Sequence, residues 1–171
     1  MKRSSTARTT ASAAAELAGF VARFEPAIGQ LVRAARSALR KRMPTAIEQV
    51  YDNYNFLAIG FCTTERTSDC IVSLAVSAKG VALSFYYGAT LPDPDRILLG
   101  TGNQNRYIRL GSAATLATPG VVSLIRSAIA HAKTPLPSTG RGYTVIKSVS
   151  ARQRPRRLPS SGSRRRAGRR A

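Results

Sequence analysis

Residues 55–86 read NFLAIGFC, TTERTSD, CIVSLAVS, AKG and VALSFY in succession, and the fold turns on how they alternate. Leu57, Ile59 and Phe61 alternate with Ala58, Gly60 and Cys62. Val72, Leu74 and Val76 alternate with Ser73, Ala75 and Ser77, and Val81, Leu83 and Phe85 with Ala82, Ser84 and Tyr86. Successive side chains of an extended chain point to opposite faces, so each run has one large apolar face and one small or polar face. Lys79-Gly80 is a turn signal. The three runs predict an antiparallel meander with one side packed on helices. Tyr107–Leu110 extends it.

Away from the meander the period lengthens. Leu17, Phe20, Val21 and Phe24 recur at helical spacing and predict a helix over about 12–24. Pro26, behind Glu25, suits the first turn of a second helix over 26–42, with Ile28, Leu31, Val32, Ala35 and Leu39 on its apolar stripe. Arg33, Arg36 and Arg40 mark another face, and Arg40, Lys41 and Arg42 crowd the helix end, where cations complement the dipole. That face reads as solvated. AIEQVYD (46–52) fits a short helix behind Pro44 and Thr45. Thr118-Pro119 opens a further helix carrying Val122, Ile125 and Ile129, and YTVIKSV (143–149) is a last strand or extended segment. The expected class is α+β: an antiparallel sheet of about four to five strands with helices packed on one face. Residues 1–11 are expected to be disordered, 12–150 to form the domain, and 151–171 to be a disordered Arg-rich tail.

The chain has 171 residues and a formal net charge of +19, unevenly spread. Residues 151–171 hold nine Arg and no acid, while 20–150 carry only +8. The tail arginines Arg156, Arg157, Arg164, Arg165, Arg166, Arg169 and Arg170 are therefore candidates for contact with nucleic acid or another polyanion, by sequence-independent charge. No aromatic platform lies beside them, so base readout is not indicated. No run approaches the roughly 18 apolar residues of a membrane-spanning helix. The N-terminus lacks a continuous apolar segment of the secretory kind, although its Ser/Thr/Arg/Ala bias resembles an organellar transit peptide. A cytoplasmic location is expected. Cys62 and Cys70 fall on opposite faces of their strands unless a bulge intervenes, which predicts buried thiols and no disulfide. His131 reads as a helix C-terminal residue. No nucleophile elbow, HExxH or phosphate-loop motif occurs, so no catalytic residue and no resident cofactor is assigned.

Residues 85–110, FYYGATLPDPDRILLGTGNQNRYIRL, are dense in turn formers. Gly100 and Gly102 suggest positive φ before the sheet resumes, and Asp93 and Asp95 suit turn capping around Pro94. Arg106 and Arg109 lie on opposite faces of the following strand, so one needs a partner, and an Arg–Asp pair with Asp93 or Asp95 is expected. Within this run, aromatic-Gly88-Ala, Leu-x-Asp93-Pro94, Leu-Leu-Gly100-x-Gly102 and Arg106-x-Ile-x-Leu resemble the signature of the YdhG-like family. The upstream MPTAIEQVYDNY also resembles the family's short helix before its first strand. The resemblance covers about 20–133, and 143–156 as well, and implies a small α+β domain with helices packed on an antiparallel sheet. Some members are described as frataxin-like iron chaperones, a role that needs hard oxygen ligands. The carboxylates to inspect for it are Glu48, Asp52, Asp93 and Asp95, in a domain poor in acids. A third reading is an enzyme holding an anionic small molecule at the 100–109 loop.

Overall fold

The structure, a computed structural model, describes residues 10–159. Helices α1 (Thr10–Ala22) and α2 (Pro26–Arg42) lead into strands β1 (Ile47–Asp52), β2 (Leu57–Cys62), β3 (Cys70–Ser77), β4 (Gly80–Phe85) and β5 (Arg106–Leu110), then α3 (Pro119–Ala130) and β6 (Thr144–Val149). Pro26 sits in the first turn of α2 behind Glu25, and Arg40, Lys41 and Arg42 fill its last turn, as the sequence suggests. Pro119 opens α3. The sheet order is β5-β4-β3-β2-β1-β6. Five strands form an antiparallel meander, and β6 adds parallel to β1.

One face of this sheet carries the core. Val50, Leu57, Ile59, Phe61, Val72, Leu74, Leu83 and Phe85 cluster with Leu17 of α1, Val32, Ala35 and Leu39 of α2, and Leu124 and Ile125 of α3. Burying each large apolar side chain contributes roughly 1.5–3 kcal/mol, so this face supplies the main driving force. The opposite face presents the half-buried small residues Ala58, Ser73, Ala75, Ala82 and Ser84. No helix among the described residues is long and apolar enough to cross a membrane.

The sheet departs from expectation in number and in sense: it has six strands, not four to five, and it is mixed. The sixth strand is AIEQVYD, which forms interior strand β1 and no helix. Its inward positions are Glu48, Val50 and Asp52, all fully buried, so two carboxylates stand where an alternation rule looks for apolar residues.

The cysteines also depart. Phe61 pairs with Val72, but Cys62 pairs with Cys70, so β3 spends an extra residue at its start. Ile71 joins Val72 in the core, and Cys70 turns to the face of Gly60 and Cys62. Both thiols are free and buried.

Residues 151–157 do not leave the domain where the sequence suggests. Arg154 N donates to Tyr54 O (2.9 Å), and Arg156 is only 6% exposed. Arg157 lies against the end of α1, donating through Nε to Arg23 O (3.2 Å). Arg164, Arg165, Arg166, Arg169 and Arg170 lie outside the described residues.

Candidate functional site

Strand β1 organises the site, because its two buried carboxylates must be neutralised. An isolated carboxylate in an apolar interior costs several kcal/mol, so each recruits cations. Glu48 receives Arg36 Nε at 2.8 Å and Arg40 Nε at 2.6 Å, both from α2. Thr144 of β6 donates its hydroxyl to the same carboxylate at 3.1 Å. Arg40 also donates to Gly142 O (3.3 Å) and, with Arg36, to Thr144 Oγ1. The three-residue and four-residue steps along α2 put Arg33, Arg36 and Arg40 on one stripe. The stripe faces the chain entering β6.

That chain passes very close. A Cβ on Gly142 would stand 2.0 Å from Ala46 O, and Gly142 N donates to Pro44 O at 2.8 Å. Only glycine permits this approach, and it delivers Arg141 to the stripe. The result is an open cleft of about 470 Å³ walled by Arg33, Arg36, Arg40, Lys41, Arg141 and Pro44. Arg33, Lys41 and Arg141 are exposed and have no hydrogen bond or ion pair among the described residues. Five cations thus share a cleft in which one carboxylate holds two of them, and the α2 dipole offsets only about half a charge more. The balance stays strongly positive. Because Glu48 and Thr144 hold the two inner guanidinium groups, their forks are set before any ligand arrives.

Asp52, at the other end of β1, binds Arg156 Nη2 at 2.7 Å and is also paired with Arg23. Arg156 further donates to Asn53 O, and its guanidinium lies 5.6 Å from the Phe24 ring centroid. Arg156, expected on sequence grounds to contact a polyanion, is therefore turned inward.

The 85–110 loop is built differently from expectation. Asp93 accepts from the backbone N–H groups of Ile97 (3.1 Å) and Leu98 (2.9 Å), which is turn capping. Arg106 does not pair with Asp93 or Asp95. It donates to the carbonyls of Gly102 and Asn105, closing the loop on itself. Gly100 has φ +107°, as expected, whereas Gly102 has no positive φ. Gly88 is required sterically, since a Cβ there would lie 2.6 Å from Arg106 Cβ. Pro94 stands exposed between the two aspartates. Arg109 is exposed on the helix-free sheet face, where it borders a shallow 470 Å³ groove with Tyr107, Lys79 and Phe56.

The four carboxylates considered for iron are not assembled into a metal site. Among the described residues no group of three His, Cys, Asp or Glu could hold a metal ion. His131 follows α3, with Nδ1 against Ser127 O at 2.7 Å. With Lys133 and Asp69 it borders a 290 Å³ hollow lined chiefly by apolar residues. Thr64 donates to Asp69 at 2.6 Å and holds that carboxyl below its ordinary 3.8, with help from Arg66.

No family model, curated protein or solved structure matches this chain. The cleft is thus described by its own residues. Sequence reading singles out the Arg33/Arg36/Arg40 stripe but assigns it to solvent, and it passes over Arg141 and Thr144. The signal for the site was the arginine spacing on α2 taken together with Glu48, which is legible only once 46–52 is a strand.

Proposed function

We propose that this chain is a non-enzymatic, cytoplasmic YdhG-like module that binds the phosphate backbone of nucleic acid through the α2–Arg141 cleft. The YdhG-like likeness rests on the 85–110 signature, since MPTAIEQVYDNY, likened to the family's short helix, forms strand β1. The observation that carries the binding reading is the gathering of five cations in one cleft, where a single, fully covered carboxylate holds two of them. Arg forks match phosphate oxygens two at a time, and unpaired Arg33, Lys41 and Arg141 can neutralise phosphates without breaking an internal bond. Such binding is sequence-independent and releases counterions. The remaining net charge, which gives the chain a sequence pI near 11.5, adds long-range attraction.

The test is fluorescence anisotropy with a labelled mixed-sequence duplex and the full chain, at salt concentrations from roughly 50 to 200 mM. A steep linear fall of log affinity with log salt is expected. Absence of binding at the lowest salt, or binding indifferent to salt, would overturn the reading.

A further inference from the structure

The bulge at the start of β3 does more than correct a register. Cys62 and Cys70 become direct partners across antiparallel strands. Such partners hold their Cα atoms roughly 4.5–5.5 Å apart, inside the roughly 4.4–6.8 Å that a disulfide spans. Their sulfurs converge on one point: a Cβ added to Gly60 would lie 3.2 Å from Cys70 Sγ and 3.5 Å from Cys62 Sγ. The Cys70 thiol donates to Val72 O at 3.4 Å. Both border a hollow of about 220 Å³ on the helix-free face, beside Gln49, Tyr51 and Tyr86. Their exposures differ in a useful way, 8% for Cys70 and 1% for Cys62.

We propose that Cys62 and Cys70 are a redox-modification site that closes into a reversible intramolecular disulfide when a hydroperoxide enters this hollow. Cys70 sulfur attacks the peroxide, the O–O bond breaks, and a sulfenic acid and water result. Cys62 sulfur then displaces that hydroxyl as water and the S–S bond forms. Two thiols lose two electrons and two protons, and hydrogen peroxide becomes two waters. A dithiol reductant reverses the bond by exchange. The neighbouring Cys62 thiol and burial hold the Cys70 thiol above its ordinary 9.0, so the thiolate is scarce and the reaction needs sustained peroxide. The disulfide would clamp the segment between the strands. That segment is held by Tyr143, just before β6, which donates to Glu65 at 2.8 Å, and by Lys147 of β6, which donates to Glu65 O at 3.1 Å.

The experiment exposes the native full chain to hydrogen peroxide, then denatures it and alkylates the remaining thiols before intact-mass measurement. The expected product has lost two hydrogens and both alkylation sites as a monomer, and regains both after dithiothreitol. Diamide, which oxidises thiol pairs without peroxide, runs in parallel. Closure by diamide but only oxygen adducts with peroxide would overturn the peroxide route. Two alkylatable thiols after both oxidants, or a disulfide-linked dimer, would overturn the pair itself.

Discussion

Glu48 and Asp52 sit four residues apart on one face of β1, each fully buried between two arginines, yet the two ends of that strand differ. At Glu48 both arginines come from α2, stay 28% and 29% exposed, and open into a cleft holding three further cations. At Asp52 the inner arginine comes from residue 156, and its side chain is 5% exposed. The same chemistry thus serves two ends: a charged surface presented outward, and a clasp that ties residues 151–157 to the domain. Arg23, the outer partner of Asp52, is 41% exposed, so what separates the two ends is the enclosed Arg156 at one and the unpaired cations around the other.

The largest effect is expected at the clasp. Arg156→Ala leaves Asp52 with Arg23 alone, and breaking a buried pair should lower unfolding stability by about 3 kcal/mol in urea titration. Hydrogen exchange should rise in residues 151–159 of the same variant. A loss under about 0.5 kcal/mol, the scale of ordinary surface changes, would mean the clasp is ornamental. Next comes Gly142→Ala, whose methyl group meets Ala46 O. The strain should cost about 2 kcal/mol and weaken duplex binding by displacing Arg141. Native stability and native binding together would contradict the close approach.

Glu48→Gln should be milder. It removes the charge but leaves arginines that can turn to water, so the loss should be about 1 kcal/mol. Duplex affinity should rise, since the cleft gains net positive charge, and a fall would mean that the carboxylate's hold on Arg36 and Arg40 outweighs its charge. The smallest effect concerns Asp69. Its folded pKa is depressed, so the contact stabilises the fold above the ordinary carboxylate value and is lost as pH falls through the lower folded value. Thr64→Val should move the Asp69 titration, followed by carboxyl NMR, up toward 3.8. An unmoved titration would assign the shift elsewhere.

The same contrast explains what the sequence makes legible. The meander reads cleanly because its inward residues are apolar and its outward ones small, so the period survives. Helix α2 reads cleanly because Pro26 opens it and Leu39 closes its stripe. Strand β1 does not, because Glu48 and Asp52 occupy core positions on the strength of partners 8 to 104 residues away. No local pattern contains those partners. The bulge at Ile71 is similarly hidden, since one extra apolar residue in CIVSL leaves the composition unchanged. Arg156 looks like any tail arginine until Asp52 is placed beside it. Shortening the chain to residue 150 would therefore remove the clasp along with the tail and confuse stability with binding.

The decisive measurement compares duplex binding, as a function of salt, for the full chain, for residues 1–159, and for Arg33→Ala/Lys41→Ala/Arg141→Ala in both lengths. None of these three residues carries an ion pair among the described residues, so folding should be preserved. The triple variant is predicted to bind more weakly and to flatten the salt slope by about three in both lengths, at roughly 0.9 per lost phosphate contact. Unchanged affinity and slope in the full-length triple variant, with both lost on removing residues 160–171, would contradict the cleft and assign the binding to the chain's end.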